Sequence, residues 1–177
     1  EQFERSSNKG GRLVSIPFFG QIVWPDENYG NLDSSCFFGV IEFLVWLSFI
    51  FPKHKAKYWD VGAHMGIDTI LMGLIGQEVT CFEPDPNSFL KLQNNLALNK
   101  LKNTHAVNAG LSWMNDEVEF VQVSGNTTAN HFKGAREAYG ELKYIKASLV
   151  DYRKYNTPDF CKINVEGYEK DLFQNIH

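Results

Sequence analysis

Two short runs hold the residues best suited to chemistry: Asp60-Val-Gly62-Ala63-His64-Met-Gly66 and Cys81-Phe-Glu83-Pro84-Asp85. Glycines such as Gly62 and Gly66, just after a strand, let the backbone take φ > 0 or come close to a ligand. Glu83 lies 21 residues after Gly62. That is close to the roughly 20-residue offset at which an acid reaches a ribose diol in nucleotide-binding strand–helix–strand units. A carboxylate there accepts from both hydroxyls, so the pattern asks for an unphosphorylated ribose. Each element also has a plain structural reading: the glycines serve a turn, and Glu83 caps a helix or faces solvent.

Charge narrows the choice of nucleoside. A dinucleotide site wants Gly-x-Gly-x-x-Gly, with a helix N-terminus aimed at the pyrophosphate. Asp60 stands two positions before Gly62, where that motif has its first glycine. A carboxylate so near the turn repels a pyrophosphate and suits an ammonium or sulfonium group. S-adenosylmethionine offers both cations, a ribose and no phosphate. A nicotinamide-dependent oxidoreductase remains the weaker alternative.

These residues need an alternating frame to hold them, and from residue 57 the sequence supplies one. Residues 57–61 read as a strand running into the glycines. Ile67, Ile70, Leu71, Leu74 and Ile75 recur on one face of a helix that Gly76 stops. A second strand covers 79–83. Asp85-Pro86 opens the next helix as cap and first residue, and that helix ends near Asn99. A third strand covers 104–109, ending at Asn108-Ala109. Short connections between them predict an α/β fold with an open, mostly parallel, Rossmann-like sheet and right-handed crossover helices. Residues 118–123 and 144–150 read as an antiparallel excursion, because no long amphipathic helix separates them. Residues 160–165 form a further buried strand, followed by a last helix near Tyr168.

Residues 1–56 read as an N-terminal extension and 57–177 as the core. The extension has an extended piece over 13–24, a turn-rich stretch over 25–35 and an apolar helix over 36–51 that Pro52 ends. That helix is shorter than the ~20 residues a membrane span needs and contains Glu42, so a helix buried on most faces is expected.

With 177 residues, 44% hydrophobic and 21% charged, the chain is an ordinary globular domain, not a disordered tail or a coiled coil. Its net charge of −4 provides no field for nucleic acid or an anionic membrane. Cys36, Cys81 and Cys161 are odd in number and widely spaced, which fits free thiols in a cytoplasmic setting. No HxxxH or Cys/His cluster exists, so no metal is expected.

The runs YWDVGAHMGIDTI, VTCFEPDPNSFLKLQNNLALNKL and DFCKINVEGYEKDL resemble the successive signatures of the FkbM family of S-adenosylmethionine-dependent methyltransferases, from about residue 39 to residue 172. The resemblance implies a class I methyltransferase fold and O-methylation of a hydroxyl on a sugar or small molecule. By position, Asp60, Gly62, Ala63, His64 and Gly66 would line the methionine end of the cofactor. Glu83 would hold the ribose, Pro84 and Asp85 the adenosine edge, and Asn108 and Ala109 would close the adenine side. The chain departs from the family at His64-Met65, where Asn-Ile is usual, and at Asn164, where the late motif has Asp. Asn164 is carried into the cofactor set as a neutral acceptor that takes up no proton. The family domain continues beyond the last helix, so the core is read as incomplete, with a homo-oligomer through the open sheet edge or helix 36–51 as one way to complete it.

An alcohol acceptor needs a base. Glu166, past the end of the strand beside the first, is the leading catalytic residue, although an acid there also suits a helix N-terminus. His64 stands second, with His131, read as a loop histidine that is solvated or hydrogen-bonded. Residues 13–35 and 124–142 are expected to shape the acceptor pocket, with Trp24, Phe132, Tyr139 and Tyr144 as rings for a sugar or, more simply, for packing. A catalytically impaired cofactor-binding or assembly module is the alternative from outside enzymology, motivated by Asn164.

Overall fold

The structure, a computed structural model, describes residues 11–16, 20–25, 34–51, 55–137 and 140–174. The extended piece expected over 13–24 is two strands, β1 (Gly11–Ile16) and β2 (Gly20–Pro25), paired as an antiparallel hairpin. Most of the turn-rich stretch, together with Pro52 and Tyr139, lies outside the described residues.

Helix α1 (Ser34–Ile50) corrects one expectation. Among its described side chains only Leu44 and Leu47 are buried, whereas Trp46, Phe49 and Ile50 are 60%, 86% and 48% exposed. The sequence is apolar on all sides, so it gives no periodic signal to say which face meets the core. No helix among the described residues is long and apolar enough to cross a membrane.

The frame that positions the site is β3 (Lys57–Val61), α2 (Ile67–Ile75), β4 (Glu78–Phe82), α3 (Pro86–Leu98) and β5 (Thr104–Val107). It is completed by β10 (Phe160–Ile163) and α4 (Glu169–Gln174). The four strands form a parallel sheet in the order β10-β3-β4-β5. Right-handed crossovers set β4 and β5 successively to one side of β3. Both faces are covered, as a parallel sheet requires. Tyr58, Val79 and Cys81 pack with Ile70, Leu71 and Leu92 on one face, while Trp59, Val61 and Phe82 meet Leu111 and Leu172 on the other.

The antiparallel excursion is present as β7 (Asp116–Val123) against β9 (Leu142–Asp151). It is larger than the sequence suggests, because β6 (Gly110–Ser112) and β8 (His131–Phe132) extend it to a second four-stranded sheet, β6-β9-β7-β8. Strands of three and two residues are too short to print an alternation. Strands expected to run to 83, 109 and 165 stop at Phe82, Val107 and Ile163. Beyond those points the chain leaves the ladder to build the cleft.

Candidate active site

A cavity opens at the carboxyl ends of β3, β4 and β10, and the second sheet forms its far wall. Counted out into the open solvent at its mouth, the hollow measures about 840 Å³. The turn Gly62–Ala63–His64, Glu83 and Pro84 line one side, while Thr127, His131 and Phe132 face them from the excursion. Residues 124–142 therefore contribute wall, but no described residue of 13–35 does. The hairpin instead packs on α3, where Asn99 accepts from the Val23 amide at 2.7 Å and donates to its carbonyl at 2.9 Å. Trp24 is buried in the core, Tyr144 is exposed on β9, and Phe132 alone of the described candidate rings reaches the cavity.

The glycine turn is set by the backbone. Gly62, at φ 78°, and Ala63 both donate to the Phe82 carbonyl at 3.0 Å. His64 follows at φ 52°, and Gly66, at φ 88°, starts α2. Gly66 does not line the cavity; a Cβ there would lie 2.2 Å from Leu92 Cδ1.

Glu83 is 6% exposed, and its two carboxylate oxygens accept from different amides, His64 N at 2.7 Å and Asp85 N at 2.8 Å. Burial pushes its pKa up to about 7, against the two amides, which favour the ionised form. His64 is held below its ordinary value, chiefly by burial, with Asp85 opposing and Lys91 and Lys162 adding to the effect. Its Nε2 shares a hydrogen bond of 2.9 Å with Thr127 Oγ1.

Asp60 lies away from the cavity wall. It is fully buried, accepts from Thr69 Oγ1 at 2.6 Å and pairs with Lys162 Nζ at 3.0 Å. Strand alternation explains this: Asp60 points to the same face as Tyr58, toward α2, while Trp59 and Val61 face the other way. Lys162, absent from the residues picked out by sequence, lines the cavity and also reaches the Gly62 carbonyl at 3.1 Å and Asp68 at 3.3 Å. Burial alone would lower its pKa, but Asp60 and Asp68 together raise it. A lysine one residue before a strand end, facing the same side as a buried acid on the next strand, was the available signal.

Asp85 is a cap. It accepts from Ser88 N and Ser88 Oγ at the start of α3, and from Gln122 and Asn130 of the excursion. Asn108 donates to the Glu83 carbonyl at 2.8 Å, and Ala109 is buried beside it; neither lines the cavity. Asn164 and Glu166 do line it. Glu166, at φ 51°, is paired with Arg136, and the adjoining Gly167 packs against the Ala135 carbonyl. Glu169 takes the helix-end role instead, accepting from Val165 N and Gly167 N.

An open parallel sheet with a strand-terminal acid and a glycine turn over one cleft defines a Rossmann-like α/β protein. Residues 60–176 match the Methyltransferase FkbM domain, and the chain belongs to that family. No curated protein matches the sequence. Among solved structures, a methyltransferase FkbM from Methylobacillus flagellatus KT is 18% identical over 69% of this chain and 29% of its own, with a TM-score of 0.48. An rRNA methylase from Streptococcus thermophilus is 17% identical over 40% of this chain and 42% of its own, with a TM-score of 0.37. TYW2 from Pyrococcus horikoshii, in complex with MeSAdo, is 26% identical over 38% of this chain and 26% of its own, with a TM-score of 0.34. The chain thus spans less than half the length of each of these three structures.

Proposed function

We propose that the chain binds S-adenosylmethionine in this cavity and transfers its methyl group to a hydroxyl of a sugar or other small molecule. The observation that carries this is Glu83, buried at the end of β4 and opening onto the same cavity as the Gly62–His64 turn. Each of its oxygens accepts one amide, which leaves a lone pair on each for the two ribose hydroxyls. The donor set fits the cofactor in charge as well: Lys162 is matched by Asp60 and Asp68 and Glu166 by Arg136, which leaves Glu83 as the wall's acid without a cationic partner among the described residues.

When bound, the cofactor supplies an electrophilic methyl carbon on sulfur. The chain's part is to orient and to exclude water. Glu83 fixes the ribose, Gly62 to His64 shape the methionine end, and Phe120, Phe132 and Tyr168 provide an apolar side against which an acceptor rests. The acceptor is read as small and not as nucleic acid because the chain carries a net charge of −4. A cytoplasmic setting accompanies this, supported by the free thiols of Cys81 and Cys161.

Calorimetric titration tests the binding step. S-adenosylhomocysteine binds, NAD does not, and Glu83→Ala weakens S-adenosylhomocysteine roughly thirtyfold through loss of two charge-assisted hydrogen bonds. Tighter binding of NAD would overturn the assignment. A binding module without turnover is favoured by one observation, the pairing of Glu166 with Arg136. A blank in tritiated methyl transfer across a broad panel of alcohols would select it.

A further inference from the structure

We propose that His131 is the base that takes the proton of the acceptor hydroxyl, an assignment that rests on the methyl-transfer function above. His131 is not a loop residue. It pairs with Val121 in the second sheet, and the residue lines the cavity although it is only 2% exposed. Its Nδ1 lies 2.8 Å from the Ala129 carbonyl oxygen. A carbonyl only accepts, so Nδ1 carries a proton, and in the neutral form of the ring the lone pair falls on Nε2.

The position of Nε2 follows by elimination. Among the described residues, every fully buried side-chain nitrogen or oxygen has a hydrogen-bond partner. Nδ1 has one in Ala129, and Nε2 has none, so Nε2 touches the open space that the ring lines. The other two candidates are occupied: His64 Nε2 by Thr127 and Glu166 by Arg136. His131 alone presents a base lone pair whose tautomer is fixed by the backbone.

The step balances with the cofactor as methyl donor. The hydroxyl proton passes to Nε2, and an oxygen electron pair forms the C–O bond to the methyl carbon. The S–CH₃ bond breaks with its pair left on sulfur as a thioether. The imidazolium then returns its proton to water at the cavity mouth.

The test uses the whole chain with diethyl pyrocarbonate, S-adenosylhomocysteine and tritiated S-adenosylmethionine. Peptide mapping should find His131 carbethoxylated despite its burial. His131→Asn retains an amide N–H where Nδ1 bonds Ala129 but has nothing at Nε2. It should bind S-adenosylhomocysteine within twofold of the parent and lose roughly 100-fold in methyl transfer to whichever alcohol accepts. Added imidazole should restore part of the rate to His131→Gly, which a purely structural role would not allow. An unmodified His131, or His131→Asn turning over within threefold of the parent, would overturn the assignment while leaving cofactor binding intact. If no alcohol accepts, carbethoxylation decides alone: modification supports the base and its absence rejects it. Failure of the parent to bind S-adenosylhomocysteine would instead remove the methyl-transfer function itself.

Discussion

Lys162 and Asp60 are register partners on adjacent parallel strands, and the ammonium of one lies 3.0 Å from the carboxylate of the other. The pair sits beneath the glycine turn, because the same ammonium holds the Gly62 carbonyl. Its three protons have three acceptors, Asp60, Asp68 and Gly62, so the floor of the cavity is fixed before any ligand arrives. Asp60 therefore meets the cavity only through the backbone it anchors and not with its own side chain.

Removing the cation should expose that dependence. Lys162→Met leaves a fully buried carboxylate without its counter-ion and is expected to cost about 3 kcal/mol, the lower end for a broken buried pair, since the lysine keeps some exposure. Urea unfolding of the parent, Lys162→Met, Asp60→Asn and the double variant gives the coupling directly. A double variant more stable than the summed losses of the singles predict, by about 2 kcal/mol or more, would show the coupling; strict additivity would mean that the two charges do not support each other.

Glu83 predicts a pH dependence of stability. Its pKa is raised from 4.5 in the unfolded chain to about 7 in the folded one. Below pH 4.5 both states hold the proton, so burial of the neutral acid is tolerated. As pH climbs through 7 the unfolded chain has already ionised, and the folded state loses stability on the order of 3 kcal/mol. Glu83→Gln should flatten the stability profile between those limits. Ribose hydroxyls favour the ionised form, so S-adenosylhomocysteine binding near pH 6 should release protons, read from calorimetry in buffers of different ionisation enthalpy. Proton uptake would contradict a carboxylate that accepts from a diol.

The frame was legible because its signals are local. Ile67 to Ile75 carry the helical period, Gly76 stops the helix, and Asp85-Pro86 starts the next as cap and first residue. The end of β4 was legible to within one residue, since the strand expected to reach Glu83 stops at Phe82. What the sequence withheld depends on contacts made far along the chain. The partner that Asp60 meets, Lys162, is supplied by the pairing of β3 with β10, about a hundred residues later. The burial of His131 is settled by two-residue pairing with β7. In α1, Trp46 and Phe49 look like core residues and face outward, because a helix apolar all round leaves the choice of face to its neighbours.

Asp85 joins the two sheets. It caps α3 and accepts from Gln122 and from Asn130, which lines the cavity. Asp85→Ala is expected to cost about 2 kcal/mol, combining a lost cap with two amides left unpaired. Hydrogen exchange should speed up both at the start of α3 and over residues 122–131. Faster exchange in α3 alone would mean that the contact with the excursion carries no tension between the sheets.

Gly62 and Gly125 separate two reasons for glycine at positive φ. Both are left-handed, at 78° and 75°. Around Gly125 an added Cβ meets nothing within 4 Å, whereas at Gly62 it would lie 1.9 Å from the Asn164 carbonyl oxygen. Gly125→Ala should therefore cost about 1 kcal/mol, the backbone term alone. Gly62→Ala should cost more than about 3 kcal/mol, because it also forces apart the ends of β3 and β10, where Asn164 N donates to the Val61 carbonyl at 2.9 Å. Since that junction forms one corner of the cavity, Gly62→Ala should weaken S-adenosylhomocysteine binding and Gly125→Ala should leave it unchanged. Equal costs for the two variants in urea unfolding would mean that the glycine at 62 serves only its own turn and that the contact with Asn164 yields freely.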